Sequence, residues 1–68
     1  MNWNEVIKKE ALGTNDEDFG EVQGFSNRYV LAQKGMINKE KYFILQDKVK
    51  SFDGSVLRSG LSEDDLSN

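Results

Sequence analysis

Carboxylates and amines are the reactive groups this chain offers. Two close acidic pairs stand out, Asp16/Asp18 and Asp64/Asp65. Paired carboxylates serve general acid–base chemistry when a concave, partly dry site drives their pKa values apart. Both pairs lie in polar stretches that water should reach. Asn15-Asp16-Glu17-Asp18-Phe19-Gly20 has the outline of a calcium loop. Counted from Asn15, Gly20 falls at the sixth position, but Phe19 stands at the fifth and Ser26 at the twelfth, where a bidentate glutamate is required. An exposed acidic turn is expected there instead, with Gly20 supplying a backbone angle that other residues resist.

The remaining inventory removes most enzyme templates. There is no histidine, hence no imidazole base or metal ligand. There is no cysteine, hence no thiol nucleophile, no Cys-based zinc site and no disulfide. A serine–lysine pair survives by composition, yet no serine stands in a strand–turn–helix elbow. No dinucleotide or P-loop glycine pattern occurs. Gly20 and Gly24 are spaced G-x-x-x-G, but Glu21, Val22 and Gln23 between them do not make an apolar membrane helix. The expectation is a protein that is not an enzyme and holds no cofactor and no metal.

The amines are segregated from the acids. From Glu5 to Glu21 there are six acids against Lys8 and Lys9. From Arg28 to Lys50 there are six bases, Arg28, Lys34, Lys39, Lys41, Lys48 and Lys50, against Glu40 and Asp47. Those six are the candidate partner-binding residues. They could meet an acidic partner, or the acidic face of another copy. With Tyr29, Tyr42 and Phe43 in the same segment, they could alternatively track a single-stranded nucleic acid. The net charge of −3 weighs against that alternative. Opposite surface charges that merely face each other in water would add little.

The elements that position these groups are short. At 68 residues the chain is expected to be a single domain with a thin core. Asn2 and Glu5 bracket Trp3 as in a capping box, and Trp3, Val6 and Ile7 fall at helical spacing up to Gly13. A strand starting near Glu10 competes with that helix. Residues 21–34 read as a hairpin turning at Ser26-Asn27, with Tyr29 and Leu31 on one face of its second strand and Val30 and Ala32 on the other. Lys41–Gln46 carries Tyr42-Phe43-Ile44-Leu45, apolar on both faces. That pattern implies a central strand, or the wall of a small barrel covered on its outside. Asp47 is expected to cap a helical turn through Lys48-Val49-Lys50, Asp53-Gly54 to turn into a last strand over Ser55–Ser59, and Ser62 to cap an acidic turn before a frayed end. Val22, Val30, Ile44, Leu45 and Val56 are the expected core, with Tyr42 or Phe43 on the other face. No proline interrupts any strand, and no apolar run exceeds four residues, so no membrane insertion is expected. The fold class read from this is mainly β: a small, strongly bent sheet or barrel of five to six strands, with short helical turns near the termini.

Asp18-Phe19-Gly20-Glu21-Val22 resembles the D-x-G-x-V opening of PRC-barrel domains. Tyr29–Gly35, Lys41–Leu45 and Asp53-Gly54-Ser55-Val56-Leu57 are similar to the later strands of small single-domain, archaeal-type members. The likeness covers about residues 10–61 and departs where the family often has proline, here Leu45-Gln46. It implies a compact barrel over that core in a single domain spanning 1–68, with no catalytic residues. It also implies an adaptor role, as in a 16S rRNA maturation factor, a photosynthetic reaction-centre subunit and archaeal cell-division adaptors. The expected function is therefore a cytoplasmic, self-associating protein–protein adaptor, a homodimer that binds another protein. The alternative is a small RNA- or single-strand-binding barrel using the 28–50 strip.

Overall fold

The computed structural model describes residues 2–66. Six strands form one mixed sheet: β1 (Glu10–Leu12), β2 (Asp18–Phe25), β3 (Tyr29–Lys34), β4 (Glu40–Leu45), β5 (Val49–Phe52) and β6 (Val56–Ser59). Their order is β4-β3-β2-β1-β6-β5. Every pairing is antiparallel except β1 with β6, which run parallel with Ala11 opposite Leu57. Single 3-10 turns at Trp3–Val6, Thr14–Asp16 and Gln46–Lys48 and one helical turn, α1 (Glu63–Leu66), complete the chain.

The sheet must curl, and chain connectivity says why. β4 and β5 stand at opposite edges, yet only Gln46–Lys48 joins them. Five strand spacings in a flat sheet would span about 24 Å. A three-residue link reaches about 14 Å. The expected strongly bent sheet is therefore present, and it stays open: β4 pairs only with β3, and β5 only with β6. The connecting turn gives its backbone groups elsewhere, Gln46 N donating to Arg28 O and Lys48 O accepting from Gly60 N. α1 packs against β4, and Leu66 reaches the core.

The core sits inside the curl. Ala11, Phe19, Val22, Val30, Ala32, Ile44 and Leu57 are buried, with Val6 from the first turn and Tyr42 completing the set. Phe19 and Tyr42 rings lie 4.8 Å apart and tilted by 31°, a favourable aromatic contact. Among the described residues Ser59 is the buried polar one, and its hydroxyl donates to Leu12 O at 3.3 Å. Val22, Val30 and Ile44 are thus core as expected. Leu45 and Val56 are only half-buried, and Leu57 takes the interior place on β6.

Three local expectations are corrected. The N-terminal helix is one 3-10 turn: Asn2 accepts from Asn4 N as anticipated, but Lys8 takes a left-handed φ of 68°. Lys8 N then donates to Val22 O and Val22 N to Lys9 O, extending the β1–β2 ladder at the helix's expense. Asp47 makes no side-chain cap at its turn. Residues 49–52 form a strand rather than the end of that turn. By contrast, Asp53 accepts from Ser55 N and Val56 N at 2.8 Å each, with Gly54 at φ 100°, so the Asp-Gly turn stands as read. Ser62 and Asp65 cap α1 reciprocally, Asp65 N donating to Ser62 Oγ and Ser62 N to Asp65 Oδ2.

Candidate functional site

β4 is where local pattern and tertiary placement disagree. Its sequence is apolar on both faces, which suits an interior strand. The structure puts it at a sheet edge, with Tyr42 and Ile44 inward and Phe43 56% exposed. Leu31 stands opposite Phe43 in the ladder, and the Tyr29 ring meets Phe43 edge-on at 6.2 Å between centroids. Gln23, Gly24 and Phe25 on β2, with Ser26 after it, complete the lining of an open, mainly apolar hollow of about 400 Å³. Phe25 and Tyr29 are each 40% exposed.

Gly24 shapes this hollow. The β2–β3 register shifts between Val22 and Gly24, so the ladder is bulged beside it. Its φ lies outside the left-handed region, and a Cβ built there would meet nothing within 4 Å. Neither conformation nor close packing inside the chain requires glycine here. Gly20 is the contrast: its φ is 86°, and a Cβ would stand 2.1 Å from Gln33 O.

The six candidate cations are divided by the fold. Arg28 sits in the β2–β3 turn, and Lys48 follows Gln46, whose N–H donates to Arg28 O, so both lie toward one end of the β3–β4 hairpin. Lys34 and Lys39 lie at the other end, about 20 Å away along a six-residue strand. Lys41 is exposed beside Gln33, and Lys50 lies on β5, at the far edge. Lys34 Nζ is 5.7 Å from the centre of the Tyr42 ring. Lys34, Lys39 and Lys41 thus share one end of the hairpin, but Lys34 lies on the face of Tyr42 and Lys41 on the face of Phe43, and the six bases form no continuous 28–50 strip.

The acidic groups face separate partners. Asp16 pairs with Arg58 across the surface, Glu17 accepts from Glu63 N at 3.3 Å, and Asp18 accepts from Gly20 N at 2.8 Å. Among the described residues no group of three or more His, Cys, Asp or Glu is placed to hold a metal ion. Asp53 and Asp65 are held below the usual aspartate range by the backbone N–H groups they accept from. The Tyr42 hydroxyl donates to Glu40 Oε2 at 2.6 Å, and this bond, then burial and nearby negative charge, push its ionisation far above that of an ordinary phenol. A phenol so held keeps its proton and offers no base near neutral pH.

The hydrophobic hollow was missed by sequence reasoning, which used charge to find a binding surface. Its signal was present in the two-faced apolar run Tyr42–Leu45. No helix among the described residues is long and apolar enough to cross a membrane. No protein-family model and no curated protein matches this chain.

Proposed function

We propose that this chain is a non-catalytic protein–protein interaction adaptor of the PRC-barrel type that associates with itself and works in the cytoplasm. One observation carries the reading: an edge strand apolar on both faces leaves Phe43, with Tyr29, Leu31 and Phe25, around an open groove. Contiguous exposed apolar surface of this kind marks interaction sites. A 68-residue core is thin, so covering that face with another chain would stabilise the fold as well. Light scattering across a concentration series, joined to capture from native lysate, tests it. A homodimer that retains a defined protein partner is expected. A strict monomer that retains none would overturn it.

A second reading is single-strand nucleic-acid binding, favoured by Tyr29 and Phe43 as exposed rings with Lys41 nearby on β4. Oligonucleotide titration at two salt concentrations separates the two readings. Phosphate contacts are strongest at low salt, so absence of binding there removes this one.

A further inference from the structure

We infer that two copies of the chain join by a reciprocal contact, in which Met36-Ile37 at the tip of each β3–β4 hairpin enters the Gly24 groove of the other copy. The inference rests on the self-association proposed above and gives it a surface.

The distribution of exposed apolar groups is the first argument. Among the described residues, the large exposed hydrophobic side chains are Phe25, Tyr29 and Phe43 at the groove and Met36 and Ile37 at the hairpin tip. Met36 and Ile37 are each 92% exposed, so the tip is a knob without a socket in its own chain. Gly35, at φ 94°, starts the turn that projects it.

The groove supplies a socket. Gly24 weakens a strand by about 0.5–1 kcal/mol relative to alanine. Nothing inside the chain requires it, because its φ is ordinary and its Cβ position is empty. A glycine in a strand marks a bulge, which the β2–β3 ladder has here, or close approach by another chain or ligand. Here that approach would fall on the floor of the groove.

Geometry allows both contacts to form at once. The Leu31–Phe43 pair at the groove lies three ladder positions from Lys34–Glu40, the last pair before the tip. Knob and groove are thus at least about 10 Å apart along one hairpin. Two hairpins packed face to face, antiparallel about a two-fold axis, through the face that Gly24, Leu31 and Phe43 share, align each tip with the other's groove. Such an isologous contact closes on itself rather than growing into a filament.

The area suffices. At about 200 Å² for a fully exposed large side chain, the five residues offer about 640 Å² per copy, from their fractional exposures. If all of it is covered, a two-fold pair buries up to about 1,300 Å², at the lower end of the range of about 1,200–2,000 Å² typical of specific interfaces. Charge adds a signature. Lys34 and Lys39 flank the knob together with Glu40, and Arg28 lines the hollow next to the groove together with Asp47, so each end carries both signs. An apolar contact between such ends should hold as salt rises, opposite to phosphate binding.

The test uses sedimentation velocity on the full chain and two variants, Gly24→Val and the double substitution Met36→Asn/Ile37→Asn. Circular dichroism first establishes that each variant folds; valine suits a strand, and the tip is solvent-exposed. Each variant alone should self-associate at least about tenfold more weakly than the parent. Mixed together they should regain association, because one intact knob meets one intact groove. A parent dimer that both variants leave unchanged overturns this contact while self-association stands. A parent chain monomeric at every concentration overturns both. Open-ended growth with concentration, or a monomer that binds an oligouridylate single strand through the same groove, also overturns the inference.

Discussion

Neighbouring residues on β4 should respond unequally to truncation. Ile44 is fully buried and stands opposite Val30, whereas Phe43 is 56% exposed on the other face. Removing a buried isoleucine to alanine costs about 2–5 kcal/mol in transfer and cavity terms. Burying a phenylalanine fully would be worth as much, but an exposed edge ring loses under half its contacts and leaves no enclosed cavity, so Phe43→Ala should cost about 1 kcal/mol. At about 0.05–0.15 kcal/mol per residue, the whole domain holds about 3–10 kcal/mol. Ile44→Ala therefore removes a large share of stability and Phe43→Ala a small one. Urea unfolding, followed by circular dichroism and by fluorescence of Trp3, which packs against the core, measures both. With a slope of about 1 kcal/mol per molar urea, the Ile44→Ala midpoint should fall by about 2 M or more. The samples must be dilute, because a partner copy over Phe43 would add concentration-dependent stability. Equal losses would refute the reasoning, as would a loss below about 0.5 kcal/mol for Ile44→Ala or a larger one for Phe43→Ala. Either would mean that β4 is shifted by one residue, since a single step exchanges the two faces of a strand.

Gly20→Ala should lose more than about 3 kcal/mol, from left-handed strain together with a Cβ 2.1 Å from Gln33 O in the neighbouring strand; a thermal melt near that of the parent would contradict this. Tyr42→Phe should cost about 0.5–1.5 kcal/mol at neutral pH through the lost bond to Glu40. Because the folded state holds the Tyr42 proton above its ordinary pKa of about 10, parent stability should fall as pH rises past that value, and urea midpoints from pH 8 to 11 should show a shallower fall in Tyr42→Phe. On the acid side the sign reverses. Asp53 and Asp65 are depressed in the folded state, so their contribution is present above about pH 4 and is lost as pH drops through their folded values. Melting temperatures from pH 5 downward should fall less steeply in Asp53→Asn, which keeps an acceptor oxygen but does not titrate.

Local chemistry was legible wherever a few neighbouring residues settle a conformation. Asp53-Gly54 makes its turn, Ser62 and Asp65 cap each other, and Ser26 N closes the β2–β3 turn onto Tyr29 O. The faces of β3 also followed from alternation, because a strand's period is fixed by its backbone. Phe19 was not legible as core. It follows a polar turn, and the β1–β2 register shifts between Ala11 and Leu12, so no simple alternation aims it inward. The placement of the six bases was hidden for a related reason: residues close in sequence lie about a strand length apart at the two ends of a hairpin.

By itself the sequence determined a small, mainly β chain with short turns and without the imidazole and thiol groups that most catalytic templates need. Which strands became neighbours was a tertiary decision. The parallel β1–β6 pairing joins segments more than forty residues apart, and no local preference encodes such a contact. The same curl set β4 at an edge, left Phe43 outside and gathered Phe25, Tyr29 and Leu31 around Gly24. A two-faced apolar strand states only that both faces are to be covered. The fold covers the inner one and leaves Phe43 exposed on the outer one.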